Sequence, residues 1–335
     1  MSWRGEPGIS VRWDEGYRVF HAGTVEDVRF VVARIPAEAK DNFDYGVVPW
    51  DRFHHSYGPG TDVPAALEQV RTGNERSVRM AFHRLWSSLL HSDTGCAAGA
   101  LAVPFLIRIA LMRADYRAEI LTGLAGLARR QHYGDGSRTG LLRAARADDQ
   151  LVFEASGYLG NWSVQAAREA LAADAGLLLP LLDDPDPEVR QGVAHALAAA
   201  AAAGPCETIV QSLHVRLRVE AGPAVRACLV LAIGQLAWEE RHPAVIEQMR
   251  TWWQDPSRPA EVRVCSALSW LCLTDGPVPG GLRAFLDDAA GGEIAALLGR
   301  IPWMLRVDCE GDGLRRCLDQ MYHPEKYPHF TSLLD

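Results

Sequence analysis

The stretch Gly176-Leu-Leu-Leu-Pro-Leu-Leu-Asp-Asp-Pro-Asp-Pro-Glu-Val-Arg-Gln-Gly-Val-Ala-His-Ala-Leu197 decides the fold of this chain. Its first seven residues crowd apolar side chains onto one expected helix, which stops at Asp183. Asp183-Asp-Pro-Asp-Pro187 is then a turn and a helix start together, because Asp side chains accept free backbone N–H groups and Pro suits a first turn. A second helix is expected to run to about Ala203, where Gly204-Pro205 breaks it.

The same order returns further on. Val189-Arg-Gln-Gly-Val, Val225-Arg-Ala-Cys-Leu and Val262-Arg-Val-Cys-Ser each open a run of small and apolar residues, with the valines 36 and 37 residues apart. Gly222-Pro223 and Asp255-Pro-Ser-Arg-Pro259 supply the punctuation ahead of the later copies. Weaker copies are read at Leu151–Gly160, at Val78-Arg-Met-Ala-Phe-His-Arg-Leu85 and, most degenerate, at Ile120–Ala128. Fixed-period self-similarity on this scale means a stacked repeat architecture. A lone helix pair cannot bury its apolar side, so neighbours must stack into one core.

At these residues the chain resembles the HEAT-repeat family. The pattern Leu-x-x-Leu-Leu-x-Asp-x-Asp-x-x-Val-Arg-x-x-Ala is close to Leu178 through Val193, with Val193 in place of Ala. The resemblance covers about residues 62–305 and is strongest over 176–275. Trp50-Asp-Arg-Phe-His-His-Ser-Tyr-Gly-Pro-Gly-Thr-Asp-Val-Pro-Ala-Ala-Leu67, followed by Ala102-Val-Pro-Phe-Leu106, is similar to the opening of a group of bacterial HEAT-containing proteins. The resemblance implies an all-α fold: a right-handed α-solenoid of stacked antiparallel helix pairs, one helix of each pair lining a concave face. Three segments are expected: an N-terminal appendage or cap over 1–49, the solenoid over 50–305 and a capping tail over 306–335.

Composition narrows the function classes. The 335 residues are 48% hydrophobic and 23% charged, too apolar for a disordered chain. No run approaches a membrane span. The opening residues lack the pattern of a secretory leader, so a cytoplasmic location is expected. The net charge of −8 argues against a general nucleic-acid binder, although all but Lys40 and Lys326 of the 34 basic residues are arginine. Seven scattered cysteines form neither a disulfide framework nor a Cys-x-x-Cys pair, and they read as reduced core thiols with Cys96 the least core-like.

Outside the repeat, Ile9–Trp13 and Tyr17–Phe20 alternate as two short strands around Asp14-Glu-Gly16. Thr24-Val-Glu-Asp27 opens an apolar helix ending near Pro36 in a capping-box-like arrangement. His132–Gly140 is a polar, Gly-rich insertion without the Gly-Lys-Ser/Thr of a phosphate loop. The aromatic tail Met321–Phe330 is expected to fold over the last repeat.

Candidate chemistry is sparse. The resemblance implies that the repeat arginines, Arg79, Arg190, Arg226 and Arg263, bond to inter-repeat turns, with Asp184, Asp186 and Asp255 as partners; a phosphate- or carboxylate-binding ladder is the other reading. With Val152 taken as the Arg slot of the weak copy, Asn161, His195 and Gln235 fall on equivalent helical faces and are candidates to line the concave groove. Satisfied buried polar residues explain them equally well. Trp238 and Glu239 at a helix end, with Trp270 and Trp303, form the best aromatic–carboxylate candidate for a binding pocket. His54, His55, Tyr57, His83, His91 and Asp93 offer acid–base groups, yet none has metal-ligand spacing, and no metal or cofactor is expected.

The expected function is a protein-binding scaffold or adaptor whose concave face grips another protein. The alternatives are a HEAT-like enzyme acting on a small molecule through an aromatic, acidic pocket, as in natural-product-type metabolism, and a DNA-glycosylase-like enzyme. The second needs a basic groove that this acidic chain does not favour. A closed aromatic pocket holding a carboxylate would support the enzyme; an open groove without one would support protein binding.

Overall fold

Helices make up almost all of the regular structure in the computed structural model, giving an all-α fold with a minor N-terminal hairpin. The structure describes residues 9–14, 17–22, 26–90, 95–129, 138, 140–144, 154, 156–200, 206–240, 242–304, 313–323 and 326, with only the backbone of 9–14, 17–22 and 206. Most of the 132–140 insertion and of the 324–335 tail lies outside these residues. The chain divides into two compact units, Met1–Arg130 with Ala145–Asp174, and Gln131–Ala144 with Ala175–Asp335.

In the first unit β1 (Ile9–Asp14) and β2 (Tyr17–Ala22) pair antiparallel with Ile9 opposite Ala22, as their alternation predicts. Helix α1 (Val28–Arg34) starts later than the sequence reading placed it. Asp27 is its N-cap, accepting the Arg29 N–H at 2.9 Å, and Thr24 lies outside the described residues. After α2 (Ala37–Asp41) come the two-residue strands β3 (His54–His55) and β4 (Gly58–Pro59), then α3 (Val63–Thr72) and α4 (Glu75–Leu89). The centre is α5 (Ala97–Met112), thirteen of whose sixteen residues are buried, so it is apolar all round. Helices α1, α2, α3, α6 (Arg117–Leu127) and α7 (Gly160–Ala173) all pack against it.

The weak copy at Leu151–Gly160 is corrected here. Its described residues form a turn, with Gly157 at φ 83°, and the helix begins only at Gly160. Asn161 therefore sits in the first turn of α7, not two turns into a repeat helix.

The second unit holds the strong copies. The expected helix over 176–182 is a single α-turn, α8 (Ala175–Leu178), continued as a 3-10 turn over Leu179–Asp183, because Pro180 has no N–H to give an α-helical ladder. The Val-Arg segments are α9 (Pro187–Ala199), α11 (Pro223–Glu240) and α13 (Ala260–Leu273). They pack side by side in that order. Helix α10 (Cys206–Val219) lies on α11, and α12 (Pro243–Gln254) touches both α11 and α13. Small residues allow the close approach: a Cβ on Gly234 of α11 would sit 2.4 Å from Ser269 Oγ of α13. Helices α14 (Gly280–Ala289), α15 (Glu293–Leu298) and α16 (Gly313–Tyr322) follow. Among the described residues no single helix is long and apolar enough to cross a membrane.

Candidate functional site

The polar column proposed to line a groove is buried. In the second unit Gln235 is 0%, Trp303 1% and His195 7% exposed. Trp303 Nε1 donates to Gln235 Oε1 at 3.1 Å, Gln235 Nε2 donates to the Ala198 carbonyl at 2.9 Å, and the His195 and Trp303 rings lie 4.4 Å apart. Both ends of the Gln235 amide are thus satisfied, which makes its burial tolerable. These three residues tie α9 and α11 to the segment before residue 305 and present no surface to a ligand. Asn161 is likewise buried, in the first unit. Glu239 is buried, while Trp238 and Trp270 are half-buried.

Two of the four repeat arginines, Arg190 and Arg226, make the same clasp. Arg190 Nη1 donates to the carbonyls of Asp184 and Pro185, six and five residues back, at 2.7 and 2.9 Å. Its other edge meets Glu220 at the end of the next pair's first helix, at 2.9 and 3.1 Å. Arg226 repeats the pattern on the carbonyls of Glu220 and Ala221 at 3.2 and 2.9 Å and reaches Glu261 at 2.6 Å. Asp184 thus partners Arg190 through its carbonyl, as expected, while the aspartate side chains cap the turns. Asp186 accepts the Glu188 N–H and Asp184 accepts the Asp186 N–H, while Asp255 accepts from Ser257. Arg263 donates to the Trp253 carbonyl at 3.3 Å and lies 4.6 Å over the Phe285 ring, and Arg79 pairs on the surface with Glu75 of its own helix.

Glu220 and Glu261 were missed by sequence reasoning. Glu261 has a signal, since it directly precedes Val262-Arg263, but the equivalent place in the previous copy is Ala224, and there Glu220 serves instead. Burial alone would raise the Glu220 carboxyl. Hydrogen bonds from Arg190, the Gly222 amide and Arg216 reverse this and hold it at about 2.

Glu154, also missed, is the most perturbed acid in the first unit. Its carboxyl is buried, takes hydrogen bonds from Ser163 Oγ, from Ser156 Oγ at 3.2 Å and from the Ala97 amide, and is pushed up to about 7 by desolvation. Nearby Cys96 is buried too, and its Sγ caps α5 by accepting the Gly99 N–H at 3.4 Å. Burial raises that thiol, so it is a cap and not a nucleophile. The other described cysteine side chains, Cys228, Cys265, Cys272 and Cys317, are buried thiols.

An open cleft of about 640 Å³ lies in the first unit, lined by Tyr57, Arg79, Met80, His83, Arg84, Ser87 and Ser88. The turn between β3 and β4 builds one wall. His55 is buried, its Nε2 is 2.9 Å from Asp62 Oδ1, and its Nδ1 accepts the Tyr57 N–H at 3.1 Å. Because Nδ1 accepts, the ring proton sits on Nε2 and points at the carboxylate. Gly58 closes the turn at φ 148°, a conformation L side chains rarely adopt, and the Ser56 N–H reaches the Ser88 carbonyl at 3.1 Å. Tyr57 is thereby fixed with its side chain 67% exposed. The other wall is α4, capped by Asn74 on the Ser77 N–H. Val78, Phe82, Leu85 and Leu89 turn inward, which leaves Arg79, Met80, His83, Arg84 and Ser87 along the outer face. Met80 is 62% exposed.

Two basic side chains, an imidazole, an aromatic ring and a thioether can hold an anionic, partly apolar ligand. Among the described residues no group of three metal-ligating side chains converges. No family model matches the chain, and no curated protein matches it, so chemistry alone guides the reading of this cleft.

Proposed function

We propose that the chain is a cytoplasmic protein-binding scaffold, a right-handed α-solenoid of HEAT-like pairs, and that a partner protein docks in the cleft between Tyr57 and α4. One observation carries this reading: Tyr57 and Met80, both more than half exposed, share an open cleft. Large apolar groups held in water by a rigid turn cost solvation energy, and a partner's surface recovers it. Tyrosine in such a position is enriched at binding hot spots. The repeat supports the same reading, because stacked helix pairs give binding surface without catalytic motifs.

The test is photo-crosslinking in the source cells from a benzophenone residue at Ser87 of the full chain. A discrete protein adduct, lost in the Tyr57→Ala and Met80→Ser variants, is expected. An adduct pattern unchanged by both substitutions, or one composed of small molecules alone, would overturn the proposal.

A further inference from the structure

The outer face of α4 differs in charge from the chain that carries it. The whole chain is at −8, yet α4 holds Arg76, Arg79 and Arg84 against the single acid Glu75. Glu75 is spent on Arg79 through a solvent-exposed pair, which holds its partners weakly, so Arg79 is available to a better partner. Arg76 and Arg84 are exposed, and among the described residues neither has an ion-pair or hydrogen-bond partner. The basic face runs beside the exposed apolar pair, since Met80 and Arg84 are one turn apart, as are Arg79 and His83.

We infer that the cleft takes an acidic linear segment of a partner protein, with an aromatic or aliphatic side chain seated between Tyr57 and Met80 and flanking carboxylates paired to Arg84 and Arg79. This rests on the protein-binding reading above and specifies its partner. Charge complementarity selects the occupant. An extended polyanion or a bilayer meets far more of the molecule than one cleft, and the rest of the chain is net acidic and repels it. A short segment feels only charges within a Debye length of about 8 Å, and the cleft's lining carries Arg79 and Arg84 and no carboxylate.

The experiment is a selection of random twelve-residue peptides on the full-length protein at 150 mM salt, followed by titration of the enriched peptides. Enriched sequences are expected to carry two or more Asp or Glu around a Phe, Leu or Trp. Their affinity should fall at least tenfold with Arg84→Glu and with Tyr57→Ala, and should be unchanged by Arg218→Glu on exposed α10 of the other unit. Circular dichroism checks that each variant keeps its helix content. Raising salt to 500 mM should weaken binding several-fold. Neutral or basic peptides that still need Tyr57 would overturn the acidic inference and leave the protein-binding reading standing. Peptides indifferent to Tyr57, or no enrichment at all, would sink both. Tighter binding of phosphatidylserine vesicles or oligo-dT than of any peptide would assign the cleft to a different class of partner and overturn the inference.

Discussion

Among the described residues Glu154's carboxyl has hydroxyls and a backbone amide as hydrogen-bond partners, and burial makes its neutral form the favoured one. Its folded pKa of about 7 stands above the ordinary 4.5. The stability it contributes is therefore complete below pH 4.5 and is lost as pH rises to about 7, a loss of about 3 kcal/mol. Glu154→Gln should abolish that slope, so that urea unfolding followed in the first unit becomes flat between pH 5 and 7.5; an unchanged slope would refute the assignment. Glu220 has the opposite sign. Held at about 2 by two arginines and an amide, it stabilises above pH 4.5 and loses that contribution as pH falls. Arg190→Ala leaves its carboxylate with Arg216 and the Gly222 amide and should destabilise the second unit by about 2 kcal/mol at pH 7, with the loss shrinking by pH 3. Neither acid is legible in the sequence. Glu154 lies in a turn that the sequence pattern presents as a weak repeat copy, and the acids facing Arg190 and Arg226 sit 30 and 35 residues away, so no fixed spacing betrays them.

At the scale of elements, α9, α11 and α13 are where the sequence is most readable. Their Val-Arg openings, Pro starts and small residues all point to the same helices, and those helices pack side by side. Where two local preferences conflict, the reading fails: Pro180 turns an apolar helical run into a 3-10 turn, and Gly157 holds a turn where a repeat copy was read. The groove residues failed for a different reason. Helical spacing places Gln235 on a face, but only packing shows that Trp303 covers that face. The crossing of α11 and α13 offers a test of packing. Gly234→Ala drives a methyl to 2.7 Å from Ser269 Cβ as well as against its Oγ, so one helix must shift. The expected cost is about 1–3 kcal/mol in chemical denaturation, partly restored by adding Ser269→Gly. A neutral Gly234→Ala would show that the helices are farther apart than described.

For the molecule as a whole, protection from solvent is unevenly spread. Helix α5 in the first unit and α11 in the second are buried on nearly every side, whereas α4, α10 and α12 each keep an exposed face. Local opening draws on regions with few buried contacts. Amide hydrogen exchange should therefore leave two separate slow cores, centred on residues 100–110 and 227–237, with α10 and α12 exchanging sooner. A single slow core confined to one unit would contradict the division of the chain. What the sequence could give of this scale was the period. It could not give the boundary at Asp174, because the repeat punctuation near that residue resembles the punctuation elsewhere.

The arginine clasp makes the length of the second unit a free variable. Arg190 and Arg226 each take two carbonyls just behind them and one carboxylate from the pair ahead. If the segment 187–222 were duplicated in frame, the copied arginine would find Glu220 and Ala221 behind it, as Arg226 does, and its own copied glutamate ahead. No clasp would be left open at either join. In-frame duplication could therefore lengthen such a gene one period at a time, with each longer product able to fold before any new surface had acquired a use.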